Sequence, residues 1–138
     1  MNELDLLLRE DSKTDAHFIT RILKKESLTE NYHWVADGAE VLDYLLEEKN
    51  PLPKVIILDI KMPRLNGFEV LARLKKEART SKIPVVMYSS SDQLSDIDTA
   101  YSLGASSYLN KPMKFRDMTE LFKSICHYWL NANRTIFS

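Results

Sequence analysis

The sequence predicts an α/β domain in which helices cover both faces of a parallel sheet. Short apolar runs alternate with amphipathic stretches, and this alternation repeats five times along the chain. Such strict alternation is typical of a parallel sheet. Two of the runs, VIIL (55–58) and PVVM (84–87), contain no charged or hydrogen-bonding side chain. Strands of this kind fit a sheet that is buried on both faces.

The short apolar runs are the predicted strands, and the sequence signal is stronger for some of them than for others. LDLLL and KVIILD are dominated by aliphatic side chains, whereas YHWVAD is a weaker candidate and SSYLN is short. In chain order, the predicted strands are residues 4–8, 32–37, 54–59, 83–90 and 106–110.

The amphipathic stretches between them are the predicted helices. In the first, Phe18 and Ile22 are four residues apart and therefore share one helical face. The segment NPLP (50–53) ends the second helix, and Gly104 is a typical residue to end the fourth. In chain order, the predicted helices are residues 15–26, 38–49, 66–79, 92–105 and 114–132.

Length and composition exclude several classes of function. A chain of 138 residues predicts one domain, and its net charge of −1 gives no electrostatic basis for binding nucleic acid. The chain contains no run of about 18 apolar residues, the length needed to span a membrane. Its acidic N-terminus does not resemble a signal peptide. Cys126 is the only cysteine, which fits a reducing compartment. We therefore expect a cytoplasmic protein that binds neither nucleic acid nor membrane.

Polar and charged residues follow four of the predicted strands. Glu10 and Asp11 follow the first strand, Asp59 ends the third, Ser89 lies at the end of the fourth and Lys111 follows the fifth. Ligands of open α/β sheets bind beyond the carboxyl ends of the strands. If the first, third and fourth strands are neighbours, these side chains share one pocket.

Three acids in one pocket require positive charge. Two unit charges about 4 Å apart repel by roughly 4 kcal/mol at an effective dielectric of 20. Lys111 supplies one positive charge, and Mg²⁺ suits a site with carboxylates, waters and a phosphate. The set therefore predicts phosphoryl transfer, with an aspartate as the attacking group.

The simplest alternative is that each residue has an ordinary, separate role. Asp11 or Asp15 could cap the first helix, Ser89 could be a loop hydroxyl, and Lys111 could be solvated. Against this, complementary chemistry is found at four strand ends, in the place where such a sheet binds ligands.

The same segments resemble the response-regulator receiver domain of two-component signalling. The likeness covers residues 4–132 and is carried by LLLREDSKTD (6–15), ILDIKMPRLNG (57–67), IPVVMYSSS (83–91) and GASSYLNKP (104–112). It implies a flavodoxin-like (βα)5 fold with a five-stranded parallel sheet of order 2-1-3-4-5. It also implies a receiver domain over residues 4–132 and a C-terminal tail over residues 133–138.

The resemblance implies a phosphoacceptor and a Mg²⁺ site. Asp59 would be the phosphoacceptor, and Glu10, Asp11 and Asp59 would hold the metal together with the backbone carbonyl of Lys61. Lys61 lies at a position where the family varies and where the dephosphorylation rate is set.

The resemblance also implies a conformational switch. Ser89, in place of the commoner threonine, would move to the phosphoryl group, and Lys111 would pair with a phosphate oxygen. Tyr108 would turn inward after Ser89 moves, and the bond before Pro112 would be cis. Arg9 departs from the family, which usually has an apolar residue there. It either reaches out at the sheet end or pairs with the acids.

The function implied is that of a stand-alone response regulator, not an enzyme acting on a separate substrate. A histidine kinase would phosphorylate Asp59, and phosphorylation would change the binding of an unidentified protein partner. The domain would catalyse only its own phosphorylation and dephosphorylation. The segment SICHYWL (124–130) resembles regulators that partner bacterial phytochromes, so the kinase could be of the phytochrome type.

The final predicted helix offers a contact for a homodimer. Its core stripe contains five apolar residues at alternating spacings of three and four: Phe115, Met118, Phe122, Ile125 and Trp129. Leu121, Cys126, Tyr128 and Leu130 lie off that stripe, so they are either buried beneath the C-terminal tail or exposed as a face for a homodimer or another partner.

Three other classes of function remain open. A haloacid-dehalogenase-like phosphatase also uses an aspartate and Mg²⁺, but it carries Asp-x-Asp on its first strand, where this chain has Glu10–Asp11. A flavodoxin-type flavin binder needs a glycine-containing phosphate loop, and EDSKTD (10–15) has no glycine. The third is an adaptor that acts without phosphorylation.

Overall fold

The computed structural model describes residues 4–10, 12–60 and 66–136. Within these residues, five strands form one sheet of order β2-β1-β3-β4-β5, and every neighbouring pair is parallel. The strands are β1 (Leu4–Arg9), β2 (Tyr32–Val35), β3 (Pro53–Leu58), β4 (Val85–Ser89) and β5 (Ser107–Asn110). The predicted fold class and strand order are confirmed.

Helices connect consecutive strands, and the last one continues beyond the sheet. They are α1 (Lys13–Lys25), α2 (Gly38–Leu46), α3 (Gly67–Lys76), α4 (Leu94–Ser102) and α5 (Phe115–Cys126), with a π-helical segment (His127–Ala132) directly after α5. In the described part of the chain, no helix is long and apolar enough to cross a membrane.

Alternate residues of each central strand point to opposite faces of the sheet and fill two apolar cores. Leu7 and Ile56 belong to the core that packs against α2 and α3. Leu8 and Ile57 belong to the core that packs against α1 and α5. Strands buried on both sides explain why the central runs of the sequence are apolar throughout.

Side-chain capping groups set the starts of α1 and α3. Ser12 accepts a hydrogen bond from the backbone N–H of Asp15, so α1 begins at Lys13, two residues before its predicted start. Asn66 and Glu69 form a reciprocal capping box at the start of α3.

The prediction for the last helix was partly wrong. Cys126 is only 1% exposed, because it lies four residues after Phe122 and eight after Met118 and so shares their buried face. Phe115, predicted to point inward, is 43% exposed and touches the edge of Phe18. Tyr128 is exposed, which is the alternative that a homodimer contact requires. The apolar face of α5 is therefore wider than the predicted stripe at its end and incomplete at its start.

Candidate functional site

The strand order places the ends of β1 and β3 side by side, and this is where the charged residues meet. Asp59 follows β3 and is 5% exposed, while Glu10 follows β1 and is fully buried. Lys111 follows β5, and its Nζ donates hydrogen bonds to Asp59 Oδ2 at 2.8 Å and to Glu10 Oε1 at 3.0 Å. Three residues separated by up to 101 positions in sequence therefore form one ion-paired cluster, as the sequence predicted.

Burial and ion pairing have opposite effects on the pKa of Glu10, and likewise on the pKa of Lys111. Burial raises the pKa of Glu10, and the attraction of Lys111 only partly offsets that effect. Burial alone would lower the pKa of Lys111, but the hydrogen bonds and charges of Asp59 and Glu10 outweigh it, so the net shift is upward. The ammonium also lies 5.5 Å from the ring centroid of Tyr88. Lys111 is thus held in its charged form.

Arg9 brings a second cation to Asp59. Its side chain is fully buried, and Nη1 lies 3.9 Å from Asp59 Oδ2. Of the two orientations considered for Arg9 from sequence, the structure therefore shows the one in which it pairs with the acids.

Two hydrogen bonds fix the backbone and side chain of Glu10. The indole Nε1–H of Trp34 donates to the Glu10 carbonyl at 2.7 Å, and Glu10 Oε2 accepts a hydrogen bond from the backbone N–H of Ser12 at 3.2 Å. Trp34 was not singled out from sequence, because its role depends on the pairing of β1 with β2 that places it opposite Leu8.

Gly67 allows the chain to pass directly beside Asp59. A Cβ atom at Gly67 would lie 2.2 Å from the Asp59 carbonyl oxygen and 2.7 Å from Ile60 Cα. The Gly67 N–H also donates a 2.7 Å hydrogen bond to the Ile60 carbonyl. Only glycine fits this approach without movement of the backbone that carries Asp59.

Ser89 and Tyr108 both contact the loop that follows β4. Ser89 Oγ accepts a hydrogen bond from the Ser91 N–H at 3.1 Å, and the Tyr108 hydroxyl donates to the Ser91 carbonyl at 2.8 Å. Asn110 Nδ2 donates to the same carbonyl at 2.9 Å. The two predicted switch residues are therefore joined through Ser91, a residue that sequence reasoning missed because a serine in a loop carries no distinguishing signal.

The bond between Lys111 and Pro112 is trans, since no peptide bond of the described residues is cis. The cis bond implied by the resemblance is wrong for this structure. A trans bond is the more stable form of an X–Pro bond in itself, and Lys111 reaches both carboxylates with it.

Comparison with known protein families identifies the family to which the chain belongs. Residues 6–123 match the response regulator receiver domain. The chain belongs to this family.

Two curated proteins are similar to this chain over nearly its whole length. The probable methanogenesis regulatory protein FilR2 of Methanothrix harundinacea is 38% identical over 133 residues, covering 94% of this chain and 86% of that protein. Response regulator Rcp1 of Synechocystis sp. is 31% identical over 131 residues, covering 92% of this chain and 89% of Rcp1.

Solved structures show the same fold. The Mn²⁺-bound form of Rcp1 has a TM-score of 0.87 at 29% identity and covers 96% of this chain and 98% of that one. The phosphorylated cyanobacterial phytochrome response regulator RcpA has a TM-score of 0.89 at 30% identity, with coverages of 97% and 99%.

Part of the predicted metal site can be placed in this receiver domain. Glu10 and Asp59 supply buried carboxylate oxygens, the kind of ligand that Mg²⁺ prefers. The predicted ligands Asp11 and Lys61 lie outside the described residues. Among the residues described, no group of three or more His, Cys, Asp or Glu side chains is arranged to hold a metal ion. The carboxylate oxygens of Glu10 and Asp59 fit a hard divalent ion.

Proposed function

We propose that this receiver domain is a stand-alone response regulator that accepts a phosphoryl group from a histidine kinase on Asp59. Phosphorylation would change how the protein binds a partner. The observation that carries the proposal is the buried Asp59 carboxylate at the end of β3, bonded to Lys111 and adjacent to Glu10. Membership of the receiver family supports the same role.

The proposed reaction needs no other nucleophile. A carboxylate oxygen of Asp59 attacks the phosphorus of a phosphohistidine, the new O–P bond forms, and the N–P bond to the imidazole breaks. The departing histidine takes up a proton from solvent. Lys111 lies at hydrogen-bond distance from Asp59 Oδ2 and would pair with an oxygen of the phosphoryl group as its negative charge arrives.

Mg²⁺ is the proposed cofactor. When bound, it would neutralise phosphoryl oxygens during transfer. Glu10, Asp11, Asp59 and the carbonyl of Lys61 would hold it. The oxygen donors of Glu10 and Asp59 support this, as does a relative whose structure is described as Mn²⁺-bound.

The proposed switch acts through the loop after β4. If Ser89 turns its hydroxyl toward the phosphoryl group, the Ser91 N–H loses its acceptor. Ser91 is also the residue that the Tyr108 hydroxyl holds, so movement at Ser89 reaches Tyr108 through one intervening residue. The phosphoryl group would shift an existing equilibrium between two conformations. The surface of α4, β5 and α5 would then present a different shape to a partner.

The kinase is proposed to be of the phytochrome type. The similarity to RcpA, described as a phytochrome response regulator, supports this. The receiver domain is proposed to extend over residues 4–132 with a tail over residues 133–138. We further propose that the protein acts in the cytoplasm and binds neither nucleic acid nor membrane.

A homodimer through the final helix is a separate proposal. Tyr128 is 52% exposed and stacks edge-on against Trp129, and Leu130 is half-buried. Cys126, first assigned to this contact, is buried and cannot take part. The proposed contact therefore depends on Tyr128 and Leu130.

The test is phosphorylation by a small-molecule donor. The protein is incubated with Mg²⁺ and acetyl phosphate, and peptide mass spectrometry locates the added phosphoryl group. We expect it on Asp59 and expect beryllofluoride to bind at the same place. A protein that stays unmodified while a known receiver domain is labelled in parallel would contradict the proposal and favour an adaptor that acts without phosphorylation.

A further inference from the structure

We propose that Arg9 is a built-in cation that takes over part of the charge neutralisation a divalent metal provides. The consequence is that the site binds Mg²⁺ more weakly than it would with an apolar residue at this position. The proposal rests on the proposed function, because it concerns the same phosphoacceptor site.

Arg9 and Lys111 reach Asp59 from different sides. Arg9 and Leu7 are two residues apart on β1, so their side chains point to the same face of the sheet. The side chain of Leu7 lies in the core beneath α2 and α3. Lys111 lies beside Tyr88, which belongs to the opposite core beneath α1 and α5. Both cations approach Asp59 Oδ2, at 3.9 Å and 2.8 Å respectively. The phosphoacceptor carboxylate therefore has a positive charge on each side.

The charge of Arg9 is permanent. A buried lysine can lose its proton to escape the cost of burial, but an arginine guanidinium stays protonated in proteins. Arg9 is fully buried, and a buried charge is tolerated only beside opposite charge. Its positive charge is therefore fixed within the acid cluster rather than shared with solvent.

A count of charges shows what Arg9 does to the site. Glu10 and Asp59 contribute two negative charges, and Arg9 and Lys111 contribute two positive charges. Asp11, which is outside the described residues, is a third acid in the sequence. Without Asp11, the four described side chains sum to zero with Arg9, and with an apolar residue at position 9 they would sum to −1. A dication is attracted less strongly to a site with less negative charge, and the guanidinium also repels it, so both effects of Arg9 lower its affinity.

The test measures Mg²⁺ affinity in three variants. Arg9→Met removes the charge and keeps a long apolar side chain, Arg9→Lys keeps the charge, and Arg21→Met is the control, since it removes one arginine from an exposed position of α1. Binding is followed by the fluorescence of Trp34 in a Trp129→Phe background, because Trp34 is hydrogen-bonded to Glu10.

We expect Arg9→Met to lower the Kd for Mg²⁺ at least tenfold. Arg9→Lys should stay within threefold of the parent, and Arg21→Met within twofold. An unchanged Kd in Arg9→Met would overturn the proposal. So would an equal change in Arg9→Lys, because the effect would then follow shape and not charge.

A second measurement applies if the Arg9→Met variant does not fold without metal. If Arg9→Met is unfolded without metal, its thermal unfolding is followed at rising Mg²⁺ concentration. A ligand that binds only the folded state raises Tm by an amount that grows with the logarithm of its affinity. A larger rise in Tm than the parent shows supports the proposal, and a smaller or equal rise overturns it. These readouts do not depend on phosphorylation, so a parent protein that is not labelled at Asp59 would refute the proposed function and leave the Arg9 result to be judged separately.

Discussion

The indole of Trp34 donates a 2.7 Å hydrogen bond to the backbone carbonyl of Glu10. A fluorescent side chain is therefore bonded to a residue that is proposed to bind the metal. Trp34 is partly exposed and lies on β2, directly opposite Leu8 of β1. A change at Glu10, which follows β1, should therefore affect the Trp34 indole directly through this hydrogen bond.

We predict that Mg²⁺ changes the fluorescence of Trp34 in a saturable way. Binding at Glu10 alters the field and the hydrogen bond at the indole. Trp129→Phe should keep the signal, and Trp34→Phe should lose it, since these are the two tryptophans of the chain. A signal that disappears with Trp129 instead would place the metal away from Glu10.

We predict that Gly67→Ala destabilises the protein by about 1–3 kcal/mol, the usual cost of overpacking. Alanine is the better helix former by about 1 kcal/mol, but its Cβ would lie 2.2 Å from the Asp59 carbonyl oxygen. The clash involves backbone and should dominate. Urea unfolding measures the change.

The control for Gly67→Ala is Lys13→Ala, which places alanine at the exposed first residue of α1. It should change the free energy of unfolding by less than about 0.5 kcal/mol, as surface substitutions usually do. Gly67→Ala with parent stability and normal labelling of Asp59 would show that the close approach is not a constraint.

We predict that Lys111 stabilises the fold at neutral pH and loses this effect in alkali. Its pKa is raised in the folded protein by Asp59 and Glu10 against the opposing effect of burial. A group with a raised folded pKa contributes its full stabilisation below its unfolded pKa, about 10.4 for lysine, and loses it as pH rises through the folded value.

The measurement is urea unfolding of the parent and of Lys111→Met between about pH 8 and pH 11.5, on either side of the ordinary lysine pKa. The difference in stability between them should shrink as pH rises. Lys123→Met, which removes a largely exposed lysine, is the control. A difference that stays constant across this range would count against a charged Lys111 bridging the two acids.

We predict that the protein self-associates without phosphorylation, with a Kd in roughly the tens of micromolar, typical of a modest interface. Tyr128→Glu should weaken association by placing a charge in the proposed contact, whereas Tyr101→Glu, at an exposed position of α4, should not. Sedimentation velocity measures both. A protein that is monomeric with and without phosphorylation would remove the dimer from the account.

The fold and the ion-paired cluster could be predicted because their signals lie in local sequence. Alternating apolar runs define the sheet, and Asp59, Glu10 and Lys111 follow strands whose carboxyl ends share one edge. The assignment of Glu10, Asp11, Asp59 and Lys61 as metal ligands stays a prediction, and Asp11 and Lys61 also lie outside the described residues.

Other features depend on three-dimensional neighbours that sequence does not reveal. Trp34 reaches Glu10 only because β2 pairs with β1 in one particular register. From sequence, Arg9 could point to solvent or pair with the acids, and only the structure shows that its side chain is fully buried. Cys126 was misplaced because the predicted stripe continued from Phe122 to Ile125 and Trp129, although Cys126, four residues after Phe122, is buried as well.

The most direct test of the account is the comparison of Asp59→Asn with Asp98→Asn, an exposed aspartate of α4. Each protein is incubated with acetyl phosphate and Mg²⁺, and intact mass measures the labelled fraction. We predict that the parent and Asp98→Asn are labelled equally and that Asp59→Asn is not labelled. Equal labelling of Asp59→Asn would contradict it, because a different residue would then be the acceptor.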